Sequence, residues 1–270
     1  MEQIRMIGIF EQAALAAGSM ILEVYDAGPN VSLKADCSPV TEADERAEAV
    51  IVDIISAAFP DIPIVAEEAA AAGRIPETAG GRFILIDPLD GTKEFIGRSP
   101  EFTVNIALIE DGAPVLGVVY APAKGIAYSG CAQGAEKLLV GADFKIASRE
   151  RIQVRPCVTP LVAVSSRSHN SRETEQFLVD NGITERRSVG SSLKFCLVAE
   201  GEADVYPRFG RTMEWDTAAG DAVLRAAGGM TVKLDGEPLT YGKTNQPSDS
   251  DFANPSFIVW GNLDDLKIRA

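Results

Sequence analysis

Hydrophobic residues recur every three to four positions at the start of the chain, which is the spacing of an amphipathic helix. The pattern extends from about residue 3 to residue 25, and a Gly-Pro-Asn turn ends it. A second helical pattern follows Thr41, with Asp44 three residues later in a variant of the capping box. Its body runs from Ala47 to Phe59 and is closed by Pro60. The first part of the chain therefore predicts two helices, each with one apolar face.

Short apolar runs, typical of strands, follow these helices. Ile62–Ala66 leads into Glu67 and Glu68, and residues 69–81 form an alanine-rich stretch with little pattern. Farther on, Glu110-Asp111-Gly112 separates two runs and is a hairpin signal. We expect two helices packed on a mostly antiparallel sheet. The runs of this predicted meander are Thr103–Ile109, Pro114–Tyr120, Lys124–Ser129 and Ala135–Val140.

The pattern changes near Arg155-Pro156, where strand and helix signals begin to alternate. We therefore divide the chain into an N-terminal half, residues 1–155, and a C-terminal half, residues 156–270. Pattern alone predicts no more than a mixed α/β protein. The predicted strands of the second half are Leu161–Ser165, Asp204–Pro207 and Pro255–Trp260, and the predicted helices are Glu173–Asn181, Leu193–Glu200 and Trp215–Ala227.

Two carboxylates lie three residues apart at the end of an apolar run, in the stretch Ile84–Thr92. We expect the strand to stop at Asp87-Pro88, because proline donates no ladder bond and restricts the residue before it. Asp87 and Asp90 repel one another unless they are protonated or bridged by a cation, and oxygen ligands suit Mg2+. An ordinary strand-to-loop turn is the alternative, since Asp, Pro and Gly are common in turns.

Three further acidic positions each have an ordinary explanation. Asp44 could complete a capping box, Glu67 could belong to a solvated turn, and Asp216 stands where a helix N-cap is expected. These explanations do not account for the fact that all of the acidic positions fall at a border between a strand or loop and a helix. The hypothesis that these acids form one shared site accounts for it.

Composition narrows the class of protein. The 270 residues carry a formal net charge of -14, which argues against nucleic-acid binding because that requires a basic surface. The four cysteines are far apart and form no Cys-x-x-Cys pair, so neither a zinc site nor a disulfide framework is indicated. We find no export signal and no stretch approaching the roughly 20 apolar residues of a membrane span. We expect a cytoplasmic protein, and peripheral attachment to the inner membrane face is compatible with this.

The sequence lacks the residues that several classes of enzyme need for catalysis. The chain has one histidine, His169, which excludes multi-histidine metal sites, and no Gly-x-Ser-x-Gly elbow accompanies it. Neither a Gly-x-x-x-x-Gly-Lys-Ser/Thr loop nor a Gly-x-Gly-x-x-Gly motif is present. The acids of Asp87-x-x-Asp90 are one residue farther apart than the Asp-x-Asp of aspartyl-phosphate phosphatases. Water activated by a metal is the chemistry that remains.

Two motifs, taken in order, resemble the signatures of the inositol monophosphatase superfamily of Mg2+-dependent, lithium-sensitive phosphatases. The likeness covers essentially the whole chain and implies a layered αβαβα fold, as in inositol monophosphatase and fructose-1,6-bisphosphatase. The motifs are Asp87-Pro88-Leu89-Asp90-Gly91-Thr92 and Trp215-Asp216-Thr217-Ala218-Ala219-Gly220.

The resemblance also implies roles for residues of these motifs. Asp44, Glu67 and Thr92 would be the catalytic group, with Thr92 and Asp44 orienting or deprotonating the attacking water. Two or three Mg2+ ions would be held by Glu67, Asp87, Asp90 and Asp216 together with the backbone carbonyl of Leu89.

Within the superfamily the closer likeness is to the bacterial 3'(2'),5'-bisphosphate nucleotidases, carried by residues 166–169, 190–196 and 206–210. These enzymes remove the 3'-phosphate of adenosine 3',5'-bisphosphate, a by-product of sulfate activation. A small phosphorylated nucleotide, and no nucleic acid, is thus the expected partner. The implied substrate-binding residues are Gly91, Thr92, His169, Gly190, Ser191, Lys194, Arg208 and Asp216.

Alternatives stay open for the substrate. Gly190-Ser191-Ser192 could offer N–H groups to an anion at a helix start, or it could be an ordinary capping serine. His169 could contact adenine or lie on the surface without a role. An inositol monophosphatase and a non-catalytic phosphonucleotide sensor are the rival functions. Two departures from the usual pattern are Ala66, where relatives show Ser or Gly, and Arg211, where close relatives often have proline.

Overall fold

Helices and two large sheets alternate in five layers. The structure, a computed structural model, describes residues 2–33, 39–156, 159–166 and 171–262. In the N-terminal part of these residues the helices are α1 (Glu2–Ala27), α2 (Glu42–Ala58), α3 (Glu67–Ala71) and α4 (Thr92–Ile96). The strands there are β1 (Val31–Leu33), β2 (Pro39–Thr41), β3 (Ile64–Ala66), β4 (Arg82–Asp90), β5 (Thr103–Glu110), β6 (Ala113–Ala121), β7 (Ile126–Cys131), β8 (Gly134–Val140) and β9 (Ile146–Ile152).

The C-terminal part of the described chain has shorter elements. Its helices are α5 (Arg172–Asp180), α6 (Leu193–Ala199) and α7 (Ala218–Ala226). Its strands are β10 (Val162–Ser165), β11 (Glu185–Ser188), β12 (Val205–Arg208), β13 (Thr212–Met213), β14 (Met230–Lys233), β15 (Ala253–Asn254) and β16 (Phe257–Trp260).

The larger sheet has the order β3-β4-β5-β6-β7-β8-β9. Its strands pair antiparallel except for β3 and β4, which are parallel. Asp111 and Gly112 form the turn between β5 and β6, with Glu110 opposite Ala113. The predicted mostly antiparallel sheet and its hairpin are therefore confirmed.

Strand β4 is buried on both faces, which explains why its sequence is apolar without interruption. Ile84 and Ile86 face a core formed with α1 and α2, whereas Phe83 and Leu85 face a second core formed with α6 and α7. This alternation follows from the two-residue period of a strand. The predicted helices α1 and α2 thus cover one face of the larger sheet, and α6 and α7 cover the other.

The smaller sheet lies on the far side of α6 and α7, with the order β11-β10-β12-β16-β14. Leu178 of α5 packs with Ala163, Val205 and Trp260 on the outer face of this sheet. The layers are therefore helix, sheet, helix, sheet and helix, and the predicted αβαβα sandwich is confirmed. The division into two halves near residue 155 stays a prediction, although each large sheet is drawn from one side of that point.

Close packing of α7 on the larger sheet depends on Gly117 of β6. A Cβ at that position would lie 2.5 Å from the carbonyl oxygen of Ala219 and 2.7 Å from the Cβ of Ala222. No real Cβ tolerates such contacts, so glycine allows the helix backbone to approach the strand. This contact sets the distance between α7 and the larger sheet, and with it the position of the turn that precedes α7.

Helix α1 is the one helix in the described residues that is long and apolar enough to cross a membrane, judged by length and composition. The prediction concerned uninterrupted apolar residues, and α1 does not contradict it, because Arg5, Glu11 and Glu23 interrupt its apolar sequence. In the fold, Met6, Phe10 and Ile21 of α1 are fully buried in the core, and buried Glu11 forms an ion pair with Arg149. The face of such a helix that packs on the core is apolar because it is buried away from water.

Three features of the fold differ from the sequence pattern or were missed. Residues 69–81, expected to lack structure, begin within α3. Strand β9 was missed because it is polar and exposed at the edge of its sheet, and β11 likewise has four exposed residues. Such strands are stabilised by pairing with a neighbour rather than by their own hydrophobic pattern.

Candidate metal and phosphate site

The turn that carries Asp87 and Asp90 is an interruption in β4 rather than its end. Asp87 lies opposite Asn105 of β5 and Asp90 lies opposite Thr103, so β4 has one extra residue between them. The prediction that the strand stops at Asp87-Pro88 was therefore wrong. Pro88 is accommodated in the bulge, where a missing ladder donor costs little. The bulge turns both carboxylates toward a cleft of about 280 Å3.

Glu67 reaches the same cleft because β3 pairs with β4 in parallel. Ala66 lies opposite Ile86, so Glu67, which follows β3, and Asp87 of β4 lie at the same end of the two strands. Glu48 of α2 accepts the N–H groups of Glu68 and Ala69 at 2.7 and 2.9 Å. These two bonds fix the start of α3 and with it the position of Glu67.

Asp216 comes from the turn before α7. Its Oδ2 accepts the N–H of Met213 at 2.8 Å, and its carbonyl oxygen accepts the hydroxyl of Ser192 at 2.6 Å. The cap position of α7 is occupied by Thr217, whose side chain makes no capping bond. The ordinary explanation of Asp216 as an N-cap was therefore wrong.

Four acids, which we call the carboxylate side, influence one another electrostatically: Glu67, Asp87, Asp90 and Asp216. Burial raises the pKa of Asp87 well above its ordinary value, and the charges of Glu67, Asp90 and Asp216 raise it further. Burial likewise raises the pKa of Asp216, and Asp90 and Glu67 add to this. Side chains far apart in the sequence have therefore converged.

The donor set fits a hard divalent cation. All donors of the carboxylate side are oxygen atoms, and a divalent cation favours the charged form of neighbouring acids that otherwise repel one another. In the ranges that the structure describes, no three acidic, histidine or cysteine side chains already form a metal-binding group. The acids of the carboxylate side thus line the cleft as separate oxygen donors and do not form a closed coordination sphere.

Asp44 and Thr92 lie together beside the cleft. The Thr92 hydroxyl is 3.2 Å from Asp44 Oδ1 and 3.3 Å from the carbonyl oxygen of Leu89, so it donates to one of them. Asp44 Oδ2 accepts both the N–H and the hydroxyl of Thr41, at 2.8 and 2.7 Å. The predicted capping box at the start of α2 is confirmed, and the same carboxylate extends to Thr92.

The segment 190–192 supports Asp90 through the two serine hydroxyls. Gly190 N–H donates to Glu101 at 3.0 Å, and the Ser191 hydroxyl donates to Asp90 Oδ2 at 2.7 Å. Ser192 also lies 3.1 Å from Asp90 Oδ2, and its hydroxyl makes no capping bond for α6. The reading of an ordinary capping serine is therefore wrong, whereas phosphate binding by Gly190 and Ser191 stays a prediction.

Behind these serines lie two buried polar residues of β5 that the sequence analysis missed. Asn105 donates to Ser192 Oγ at 3.0 Å, and the Thr103 hydroxyl contacts Ser191 Oγ. Both are almost fully buried, at 1% and 0% exposure. A polar residue at alternate positions of an otherwise apolar strand was the available signal. The network links the larger sheet to Asp90.

Four cations line the same cleft, one of them Lys93 of α4. We call the three from the C-terminal part of the chain the cationic side: Lys194, Arg208 and Arg211. Lys194 is buried, donates to the carbonyl oxygen of Ser191 at 2.5 Å and lies over the ring of Tyr206. Burial lowers the pKa of Lys194 to about 8, although the charge of Asp90 opposes this. Arg208 donates to the carbonyl oxygens of Gly210 and Arg211.

Most of the predicted site residues are therefore brought together. Gly91, in a left-handed conformation with φ 93°, begins α4 at the edge of the cleft. His169 lies outside the described residues. Asp44 approaches the cleft through Thr92, and Gly190 lies behind it. The predicted residues that line the cleft are Glu67, Asp87, Leu89, Asp90, Gly91, Thr92, Ser191, Lys194, Arg208 and Asp216.

Comparison with known proteins finds similarity over most of the length of the chain. A sequence profile described as the inositol monophosphatase family matches residues 2–253. The 3'(2'),5'-bisphosphate nucleotidase CysQ of Escherichia coli is 48% identical over 250 residues, which is 92% of this chain and 96% of that protein.

Solved structures are also similar. CysQ from Bacteroides thetaiotaomicron has a TM-score of 0.77 and 39% identity, covering 96% of this chain and 97% of that one. An IMPase of Thermotoga maritima has a TM-score of 0.74 and 28% identity, covering 97% and 92%. The chain is thus similar to these proteins over nearly its full length.

Proposed function

Since the chain belongs to the inositol monophosphatase family, we propose that it is a Mg2+-dependent 3'(2'),5'-bisphosphate nucleotidase. It would hydrolyse the 3'-phosphate of adenosine 3',5'-bisphosphate to AMP and phosphate. The observation that carries the proposal is the convergence of Glu67, Asp87, Asp90 and Asp216 on one cleft. The identity to nucleotidases supports the choice of substrate within the family.

The carboxylate side, together with the carbonyl oxygen of Leu89, would hold two or three Mg2+ ions. Bound Mg2+ supplies a water of lowered pKa and offsets negative charge on the phosphate and on the leaving oxygen. A phosphoryl transfer of this kind needs little from the protein beyond position and charge. The Ser191 and Ser192 hydroxyls contribute position, because they fix the orientation of the Asp90 carboxylate.

Thr92 and Asp44 would handle the proton of the attacking water. When Thr92 donates to Asp44 Oδ1, its oxygen lone pairs are free to accept a proton from a water in the cleft. Asp44 is held in place by Thr41 through Oδ2, and its Oδ1 faces Thr92 as the final acceptor. A proton could therefore pass from water through Thr92 to Asp44.

The cationic side would bind the phosphate that is not hydrolysed. Lys194 and Arg208 bring positive charge to a protein whose net charge is -14. Such local charge is needed because a bisphosphate would otherwise be repelled by the carboxylate side. An inositol monophosphate has no second phosphate, so it offers no group for the cationic side to bind.

The proposed reaction places the protein after reactions that transfer an activated sulfate or sulfonate and release adenosine 3',5'-bisphosphate. Removing that by-product would support sulfur assimilation. A cytoplasmic location accords with this role, and both the role and the location are parts of the proposal.

A phosphate-release assay tests the substrate. Purified protein with Mg2+ should turn over adenosine 3',5'-bisphosphate at least about tenfold faster, in kcat/KM, than inositol 1-phosphate. The preference follows from the cationic side, which only the bisphosphate can use fully. Faster turnover of the inositol ester would replace the proposal with an inositol monophosphatase.

A sensor without catalysis is the second rival. It would bind the bisphosphate and release no phosphate, a result that the same assay detects. Intact acids at all four metal positions favour catalysis, because a sensor does not require the full set. Inhibition by lithium, through replacement of a catalytic Mg2+, is a further expectation of the family mechanism.

A further inference from the structure

The three cations of the cationic side differ in what already holds them. Lys194 is buried and bonded to the carbonyl oxygen of Ser191. Arg208 has turned its guanidinium back onto its own loop, with Nε 3.0 Å from the carbonyl oxygen of Gly210 and Nη2 3.1 Å from that of Arg211. Both side chains therefore serve partly to shape the cleft.

Arg211 is held by groups that lie outside the cleft wall. Its Nε is 3.1 Å from Asp249 Oδ1, and its Nη2 is 2.5 Å from Ser250 Oγ. The Arg211 and Asp249 side chains are 56% and 39% exposed. An exposed ion pair of this kind contributes little, because water screens it and long side chains must be ordered to form it. Arg211 can therefore leave Asp249 at low cost.

A phosphate is a better partner for this guanidinium than Asp249. Arginine donates two parallel N–H bonds to phosphate oxygens, and such charge-assisted bonds are roughly twice as strong as neutral ones. Arg211 is also placed for the exchange, since it lines the cleft next to Arg208 and Thr212. Its backbone is fixed by the bond from Arg208, so only the side chain needs to move.

We propose that Arg211 is a specificity-determining residue that binds the unreacted phosphate of a bisphosphate substrate by exchanging Asp249 for it. This inference rests on the proposed function. Asp249 then acts as an internal competitor that occupies Arg211 when no substrate is bound. The exchange favours substrates with two phosphate groups over those with one.

The test compares two substrates and two variants. For wild-type protein with Mg2+, kcat/KM is measured for adenosine 3',5'-bisphosphate and for adenosine 3'-monophosphate, which lacks the second phosphate. Arg211→Met keeps the aliphatic stem and removes the charge, and it should lower the bisphosphate-to-monophosphate selectivity about tenfold through KM. Asp249→Asn should instead lower the KM for the bisphosphate a few-fold, because it removes the competitor.

Two further measurements separate this role from a structural one. Arg186→Met removes a comparable exposed ion pair, with Glu175, away from the cleft and should leave the selectivity unchanged. Inhibition by adenosine 5'-monophosphate, the product that retains the unreacted phosphate, should weaken about tenfold in Arg211→Met. The thermal midpoint of that variant should match wild type, since Arg211 is exposed.

Equal loss on both substrates, or no change in selectivity or product inhibition, would overturn the role of Arg211 while leaving the proposed function intact. A wild-type protein that releases no phosphate from adenosine 3',5'-bisphosphate would overturn the proposed function and the role of Arg211 together.

Discussion

The carboxylate side and the cationic side of the cleft are built on different kinds of structure. Asp87 and Asp90 extend from a strand that is buried on both faces and paired on both edges. Arg208 and Arg211 come from a short strand and the loop after it, and Arg211 is exposed. The proposed chemistry thus rests on the rigid sheet, whereas the part of the proposed recognition that Arg211 supplies rests on an exposed loop, which can vary without disturbing the core.

This difference suggests how one fold can serve several substrates. The bulge is paired with β5 at both of its ends, through Asp87 and Asp90. It therefore holds the acids in a constant arrangement, as a common reaction requires. Under the proposal, Arg211 in the loop after β12 sets the preferred substrate. We therefore expect changes on the carboxylate side to affect kcat and changes on the cationic side to affect KM.

The largest expected effect is that of Asp90→Asn. The substitution keeps the volume of the side chain and removes the charge of a proposed Mg2+ ligand, so kcat should fall about a thousandfold or more. Phosphate release measures this. Circular dichroism should show an intact fold, and without Mg2+ the variant should melt no lower than wild type, because Asp90 raises the pKa values of Asp87 and Asp216 by repulsion.

Asp235→Asn is the matched control, since Asp235 is an exposed acid that pairs with Lys233. It should retain full activity. Near-wild-type turnover in Asp90→Asn would show that the acids do not form the catalytic site, and the contrast between the two sides of the cleft would fail.

The next effect should come from Ser192→Ala, which tests whether the hydroxyl network holds the acids of the carboxylate side in place. Ser192 lies between Asn105, Asp90 and the carbonyl oxygen of Asp216. Outer partners of metal ligands typically contribute 10- to 100-fold to metal affinity, so we expect the Mg2+ concentration for half-maximal activity to rise about tenfold. Isothermal titration with Mg2+ measures the same loss without turnover.

Ser256→Ala is a suitable control, because the Ser256 hydroxyl bonds to the carbonyl oxygen of Phe209 away from the acids. An unchanged Mg2+ requirement in Ser192→Ala would mean that the acids are held without the hydroxyl network.

The smallest effect should be a dependence of KM on pH through Lys194. Its pKa, lowered by burial to about 8, means that the side chain loses its proton as the pH rises through that value. The KM for the bisphosphate should therefore rise a few-fold between about pH 7 and pH 9 in the wild type. Lys194→Met should show a higher KM at pH 7 and no such rise, while Lys233→Met, altered at the surface, should behave as wild type. A pH-independent wild-type KM would remove Lys194 from phosphate binding.

The sequence predicted best where periodicity and local chemistry agree. The two N-terminal helices, the Asp111-Gly112 hairpin and the capping box of Thr41 with Asp44 are all short-range features, and the structure has them. The αβαβα arrangement came from the family resemblance, since pattern alone gave only a mixed α/β protein. Short-range signals do not specify which elements pack together.

The site was predictable for its acids and less so for their supports. Asp87, Asp90 and Asp216 stand in recognisable motifs. The hydrogen bonds from Asn105 to Ser192 and from Glu48 to the start of α3 join residues distant in sequence, so no local pattern reveals them. The bond from Gly190 to Glu101 was missed for a similar reason, because Glu101 comes from another part of the chain.

The most direct test of the central claim, that the carboxylate side works by holding Mg2+, is to strip the protein with a chelator and restore the metal. We predict that stripped protein releases no phosphate from adenosine 3',5'-bisphosphate and that added Mg2+ restores saturable activity in the wild type. The same addition should restore nothing in Asp90→Asn. Undiminished phosphate release from the stripped wild-type protein would contradict the account.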